Sequence, residues 1–303
     1  MKTKKLVSGI ALLSLSVLLL TACGGGNDSD TKDTSTKESS AKVDSSEKAP
    51  ERVAGGELKD GTYQLEEKNA DEHGWKAKFS MTVESGKITK SEFDYINDKE
   101  EKKSEDKEYD KSMSEKVKTG PATFIPELNE SLVSAQSADG VDVVTGATHS
   151  SLTFKNYAQQ LIQAAQAGNT ETIEINNGAD LQDGTYTLEE KNESNGYRTV
   201  FSIVVKDGKL AESKYDNINA DGESKVDNAE YNEKMKEQTG TGPSDFIPAL
   251  NESLVAAGNA GDVEVVTGAT HSSHTFQMYA AQLINAAENG NTETILVDNI
   301  VTK

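Results

Sequence analysis

The sequence predicts an α+β fold that is present in two tandem copies, each a mostly antiparallel sheet packed with helices. The first observation is a duplication, because long stretches return after 122 to 123 residues. The second is a set of short runs with alternating apolar residues, which is typical of half-buried strands. The third is an apolar stripe at helical spacing that follows these runs. Strand runs followed by helical runs favour an α+β domain.

The duplication covers a whole domain. DGTYQLEEKN, FIPELNESLV and VVTGATHSS in the first copy return as DGTYTLEEKN, FIPALNESLV and VVTGATHSS in the second. Solenoid units repeat every roughly 20 to 50 residues, so a longer period indicates a duplicated domain. The predicted organisation is a leader at 1–22, a lipidated cysteine and flexible linker at 23–57, a first domain at 58–177 and a second at 178–303.

Three strands and two helices open each copy. In the first copy the strands are predicted at 62–65, 78–83 and 88–95, and ESGK forms the hairpin turn between the last two. Amphipathic helices are predicted near 109–117 and 124–134. A β-branched run at 141–144 is then expected to end a strand just before the last helix.

The last helix has the clearest pattern. Its apolar residues fall at i, i+3, i+4, i+7, i+8 and i+11, which places them on one face. They are Phe154, Tyr157, Ala158, Leu161, Ile162 and Ala165, and the second copy repeats the same spacing from Phe276.

The chain begins with a pattern typical of an export signal. Lysines precede an apolar run at 6–20, which is too short to span a bilayer comfortably as a permanent helix. The run ends in LTAC, which resembles the lipobox of bacterial lipoproteins. That resemblance implies cleavage before Cys23, acylation of its thiol with chains such as palmitate, and anchoring at the outer, cell-wall side of the membrane. An ordinary secretory leader with a chance cysteine is the alternative.

Composition limits the function. With 51 acidic and 31 basic residues the net charge is −20, which argues against a nucleic-acid partner because phosphate binding needs clustered cations. A single cysteine excludes an internal disulfide, an iron–sulfur site and a haem attachment motif. Any redox function therefore requires a borrowed cofactor.

The motif TGATHSS lies before the last helix of each copy. Gly146 and Ala147 are small enough to leave the Thr148 hydroxyl approachable, and the free amides of a helix's first turn favour an anion there. Serine and threonine also commonly cap helices. On these residues alone, a purely capping role for Thr148, Ser150 and Ser151 stays open.

With their upstream DGTY and FIPELNESL stretches, the two TGATHSS regions resemble FMN-binding domains, in which a flavin transferase moves FMN from FAD onto the last threonine of an (S/T)GAT core. The resemblance covers nearly all of 58–303 and implies two covalent FMN groups. It implies acceptors at Thr148 and Thr270, with the turns shaped by Thr145, Gly146, Ala147, Thr267, Gly268 and Ala269. The copies differ just upstream, where Asp139 and Gly140 correspond to Gly261 and Asp262.

The whole layout is similar to twin-flavin surface lipoproteins of Gram-positive extracellular electron transfer. This similarity implies an electron carrier rather than a substrate-specific enzyme. Its partners would be a membrane NADH dehydrogenase and quinone pool as donors, and ferric iron or soluble flavins as acceptors. A covalent bond would keep the cofactor from being lost by dilution outside the cell. A redox-silent lipoprotein that binds a ligand or partner, and a reductase of a small organic acceptor, are the alternatives.

Three histidines near the motifs have competing interpretations. His149 and His271 follow the candidate acceptors and are expected to be solvated rather than to contact a phosphate. His271 and His274 have a spacing that could hold a metal. Because Leu152 occupies the matching place in the first copy, no metal site is expected.

Two other sets of residues are expected to be structural. Trp75 and Tyr197 correspond and could stack on a flavin ring, but packing is the commoner role of a strand aromatic. Paired carboxylates could suggest acid–base chemistry, yet a solvated strand face is the expected interpretation for Glu66, Glu67, Glu189 and Glu190.

Overall fold

The computed structural model describes residues 51–302, which form two sheet–helix units with the same order of elements. The predicted leader, the candidate lipidation site Cys23 and most of the predicted linker lie outside the described residues. Within 51–302, no helix combines the length and apolarity needed to cross a membrane.

The first unit contains five strands and three helices. The strands are β1 (Arg52–Ala54), β2 (Gly61–Glu67), β3 (Lys76–Glu84), β4 (Lys87–Ile96) and β5 (Ile173–Ile175). The helices are α1 (Lys107–Val117), α2 (Pro121–Ala135) and α3 (Thr148–Ala167), and a 3-10 turn at Lys103–Glu105 precedes α1. The sheet order is β4-β3-β2-β5, antiparallel except for the parallel pair β2 and β5.

The second unit repeats this arrangement. Its strands are β6 (Gly184–Glu190), β7 (Arg198–Lys206), β8 (Lys209–Ile218) and β9 (Ile295–Val297), in the order β8-β7-β6-β9. Its helices are α4 (Ala229–Thr239), α5 (Pro243–Ala257) and α6 (Thr270–Asn289). A final strand, β10 (Val301–Thr302), pairs antiparallel with β1. The mixed architecture of sheets packed against helices is confirmed, and β1 shows that the predicted linker ends in a strand.

Each core forms where the stripe of the last helix meets its sheet. All six stripe residues of α3 are buried. Phe154 lies 4.9 Å from Phe79 and 5.2 Å from Phe93 between ring centroids, and Phe276 makes the equivalent contacts with Phe201 and Tyr215 at 4.8 and 5.1 Å. The helical periodicity therefore identified the face that anchors α3, and with it the position of the TGAT motif.

The predicted hairpin between β3 and β4 is confirmed. Ser85 and Gly86 both have positive φ, 53° and 71°. Two central residues with positive φ make the tight turn that matches the twist of paired strands.

The strand predicted at 141–144 is wrong, because this run has no strand partner. Side chains bind its backbone instead. The Lys155 ammonium donates to the carbonyls of Asp139 at 3.0 Å and Val141 at 2.6 Å, and the Val144 amide donates to Ser151 Oγ at 3.0 Å. These bonds replace the ladder that a strand would need.

The two units contact each other through α3 and α6. Gln166, near the end of α3, donates to the carbonyl of Asp298 in the second unit at 2.7 Å. The corresponding residue of α6 is Glu288, whose carboxylate accepts the Gly178 amide at 2.8 Å. Each long helix therefore reaches the segment that follows the other unit's last core strand.

Glu288 is expected to make stability depend on pH. Burial raises the pKa of its carboxyl from the ordinary 4.5 to about 7, and its second oxygen has no partner among residues 51–302. The pKa of Glu288 is higher in the folded protein than in the unfolded chain. Its protonated form therefore contributes full stability below about pH 4.5, and this contribution is lost as the pH rises to about 7. Glu288→Gln should flatten this decline, which we expect to reach about 1–2 kcal/mol.

Urea unfolding at several pH values measures this effect. Glu252→Gln, at an exposed carboxyl on α5, is the matched control and should keep the wild-type pH profile. An equal slope in Glu288→Gln and wild type would contradict the assignment.

Candidate functional site

The TGAT turn packs against the C-terminal end of another helix, which is α1 in the first unit and α4 in the second. Gly146 has φ +84°, and a Cβ there would lie 2.6 Å from the carbonyl oxygen of Val117 at the end of α1. Gly268 has φ +83°, and a Cβ there would overlap the carbonyl of Thr239 at the end of α4. Both the backbone conformation and the close approach require glycine.

A buried serine fixes the shape of each turn. Ser151 Oγ accepts the Val144 amide at 3.0 Å and donates to the Ala147 carbonyl at 2.9 Å, so it bridges the residues that flank Thr145 and Gly146. Ser273 makes the same two bonds in the second unit. The capping interpretation is wrong for Ser151, since no side chain makes a cap hydrogen bond at the start of α3.

Ser151→Ala is expected to loosen the turn. The change leaves the half-buried Val144 amide without its acceptor, which lowers the free energy of unfolding by about 1–2 kcal/mol. Hydrogen exchange should show faster exchange of that amide, whereas Ser150→Ala should leave it protected. Unchanged protection in Ser151→Ala would contradict the bridging role.

The two candidate acceptors occupy equivalent, accessible positions. Thr148 is the first residue of α3, Thr270 is the first residue of α6, and both are exposed. Alanines occupy the N-cap positions, and the first backbone bond at the start of α3 runs from the Ser151 amide to Ala147 at 2.9 Å. The first-turn amides therefore remain available to an anion beside each threonine.

The remaining motif residues divide into exposed and buried positions. Thr145 and Thr267 are exposed, whereas Ala147 and Ala269 are buried beneath the turn. The structure thus brings each predicted set together around one helix start.

A cavity of about 340 Å³ borders the second turn. Its walls include Tyr197, Asn217 and Lys225 of the second unit, together with His271 and Ser272, which follow Thr270. Residues 137, 139 and 140 of the first unit complete one side. Ligand pockets usually measure about 300–1,000 Å³, so this cavity is large enough to take part of a cofactor.

Trp75 and Tyr197 pack as expected against an aromatic neighbour. Trp75 lies 6.3 Å from Tyr109, and Tyr197 lies 6.2 Å from Tyr231, in edge-on arrangements. The sequence did not indicate that each aromatic pair also contacts a lysine. This lysine is Lys103 in the first unit and Lys225 in the second. A lysine at the same place in both copies was the available signal.

The solvated face expected for the paired carboxylates is wrong for Glu67 and Glu190. Glu67 accepts the Tyr157 hydroxyl at 2.5 Å and the Ala77 amide at 2.7 Å, and Glu190 accepts Tyr279 at 2.6 Å. Burial raises the pKa of both carboxyl groups. These carboxylates attach the last helix to the sheet, while Glu66 and Glu189 are half-buried neighbours on the same strands.

The residues upstream of the two motifs differ, with Asp139 in the first copy and Gly261 in the second, and each meets a different histidine. His271 lies 3.3 Å from the Asp139 carboxylate, which raises the pKa of the imidazole. At the matching place, a Cβ on Gly261 would lie 2.9 Å from His149 Nδ1. Among residues 51–302, no cluster of three or more His, Cys, Asp or Glu could hold a metal ion, and His271 is used in this contact between units.

Comparison with known proteins relates the chain to a family, a lipoprotein and a solved structure. The family model for the FMN-binding domain matches residues 73–163, which include the first TGAT turn. The 15 kDa lipoprotein of Treponema pallidum is 34% identical over 116 residues, covering 38% of this chain and 82% of that protein. A crystal structure of a Clostridium perfringens protein is 42% identical over 39% of this chain and 98% of its own, with a TM-score of 0.38. The chain therefore belongs to the FMN-binding domain family and is homologous to a lipoprotein of that family.

Proposed function

We propose that this protein is a lipid-anchored extracellular electron carrier with two covalent FMN groups, one on Thr148 and one on Thr270. The observation that carries the proposal is the identical construction of the two turns. Each presents an exposed threonine at an uncapped helix start, above a glycine that no other residue could replace without strain. The lipoprotein relative supports a lipid anchor, which we place on Cys23.

The site residues fit a phosphate ester. In attachment, the threonine oxygen bonds to the FMN phosphorus of FAD, the pyrophosphate bond breaks, AMP leaves and the hydroxyl proton is released. A flavin transferase would catalyse this reaction. The ester retains one negative charge, which the first-turn amides of α3 and α6 can accept.

The protein would hold and orient the cofactor rather than supply the redox chemistry. Bound flavin provides the electron acceptor and donor, while the polypeptide sets its position and electrostatic surroundings. The proposed donors are a membrane NADH dehydrogenase and the quinone pool. The proposed acceptors are ferric iron and soluble flavins.

The test is covalent flavin on the full chain. Protein from the native cell envelope should run as a fluorescent band on a denaturing gel. Its intact mass should exceed that of protein made without the transferase by two FMN groups. A colourless protein with unmodified threonines would contradict the proposal and favour a redox-silent binding lipoprotein.

A further inference from the structure

Each unit holds a lysine ammonium against aromatic rings. In the first unit Lys103 is only 7% exposed. Its Nζ lies 4.3 Å from the ring centroid of Tyr109, 4.9 Å from that of Tyr95 and 5.6 Å from that of Trp75. Placing a cation this close to the face of an aromatic ring is favourable.

The second unit repeats the arrangement with different side chains. Lys225 Nζ lies 4.9 Å from the ring centroid of Tyr197 and 4.4 Å from that of Tyr231. Tyr197 replaces Trp75, and Asn217 replaces Tyr95. The lysine and the nearest ring, Tyr109 or Tyr231, are common to both units, whereas the other rings differ.

Among residues 51–302, neither ammonium forms an ion pair with a carboxylate. The ion pairs found among residues 51–302 involve other lysines, such as Lys68 and Lys236, and neither Lys103 nor Lys225 donates a side-chain hydrogen bond there. Lys103 is buried and Lys225 is half-buried, and a charge in such surroundings is usually paired. Each ammonium group can therefore accept an anionic partner.

The cavity beside α6 relates one lysine to an attachment turn. Lys225 lines this 340 Å³ cavity together with His271 and Ser272, which directly follow Thr270. Lys103 holds the matching position of the first unit, since the two units repeat the same order of elements. The start of α6 therefore borders both Thr270 and the cavity that Lys225 lines.

We propose that Lys225 and Lys103 are the cationic groups that contact the flavin ring system in the two units and stabilise its reduced, negatively charged form. This inference rests on the proposed function. Two electrons from an external donor and one proton convert the neutral oxidised ring into an anion. A fixed cation beside the ring stabilises that anion and so raises the midpoint potential.

The experiment isolates one flavin at a time. In Thr148→Ala protein, only Thr270 carries flavin, and its midpoint potential is measured by spectroelectrochemistry. Lys225→Gln should lower the ratio of reduced to oxidised flavin at a fixed potential at least about tenfold. For a two-electron couple this equals a midpoint potential that is lower by about 30 mV. Lys225→Arg should restore most of the ratio. Lys234→Gln, an equal charge change at an exposed residue of α4, is the control and should leave the potential unchanged.

The outcomes separate this inference from the proposed function. Absence of flavin from the Thr148→Ala parent and from wild type would overturn the proposed function. Normal flavin mass with equal potentials in Lys225→Gln and Lys234→Gln would overturn the lysine assignment alone. If Lys225→Gln does not fold, Lys103→Gln in Thr270→Ala protein gives the same test, with exposed Lys111→Gln as control. Failure of both lysine variants to fold would show that the lysines are structural and would also overturn the assignment.

Discussion

Replacing Thr148 and Thr270 together by alanine is expected to abolish covalent flavin, while each single replacement removes about half of it, since distant sites behave independently. Both hydroxyls are exposed at the first position of a helix, so each can form one ester without any rearrangement of the core. No other residue of either turn combines an exposed hydroxyl with this position.

Intact mass after co-expression with the transferase measures the flavin load. The folded state should persist in the double variant, because neither threonine makes a cap hydrogen bond and loss of a cap costs only about 1 kcal/mol even where one exists. Thr170→Ala and Thr292→Ala are matched controls, since each removes an exposed threonine hydroxyl at corresponding positions outside the two turns. Full flavin mass on the double variant would refute the assignment of both acceptors.

Local sequence patterns were sufficient to predict the elements that carry the site. Alternation of apolar residues placed β2, β3 and β4, and the stripe from Phe154 placed α3. These patterns are sufficient because a half-buried strand and a helix packed on one face each have a fixed period. The parallel strand β5 was missed, since three residues are too few to establish a period.

Contacts between distant residues could not be predicted in this way. Glu67 lies beside Glu66 in an acidic stretch that reads as solvated, and its burial depends on Tyr157, which is 90 residues away. Lys103 lies in the charged run EEKKSEDKEYD, yet aromatic rings from β4 and α1 enclose its ammonium. Tertiary packing decides which charged residue of such a run is buried.

The TGAT turn combines a feature that the sequence predicted with one that it could not predict. Its small residues and its position before α3 were readable from sequence. Its contact with Val117 was not, because it depends on how α1 packs against the turn. This contact makes the glycine the most sensitive position of the site.

Gly146→Ala is expected to lower the free energy of unfolding by about 2–3 kcal/mol and to prevent attachment at Thr148. A Cβ at this position must either displace the end of α1 or open the turn, because it would lie 2.6 Å from the Val117 carbonyl oxygen. Opening the turn moves Thr148 relative to the first-turn amides of α3. Peptide mass mapping should therefore find flavin on Thr270 and little on Thr148 of the same chain.

Gly240→Ala is a control that separates the backbone strain of a positive φ from a steric clash with a neighbouring helix. Gly240 has the same φ of +84° at the end of α4, but a Cβ there would meet nothing within 4 Å. That variant should lose about 1 kcal/mol and keep flavin on both threonines. If Gly146→Ala behaved like Gly240→Ala in both measurements, the close approach of α1 would not shape the acceptor turn. A larger loss confined to Gly146→Ala, together with selective loss at Thr148, would show that the packing of α1 positions the acceptor hydroxyl.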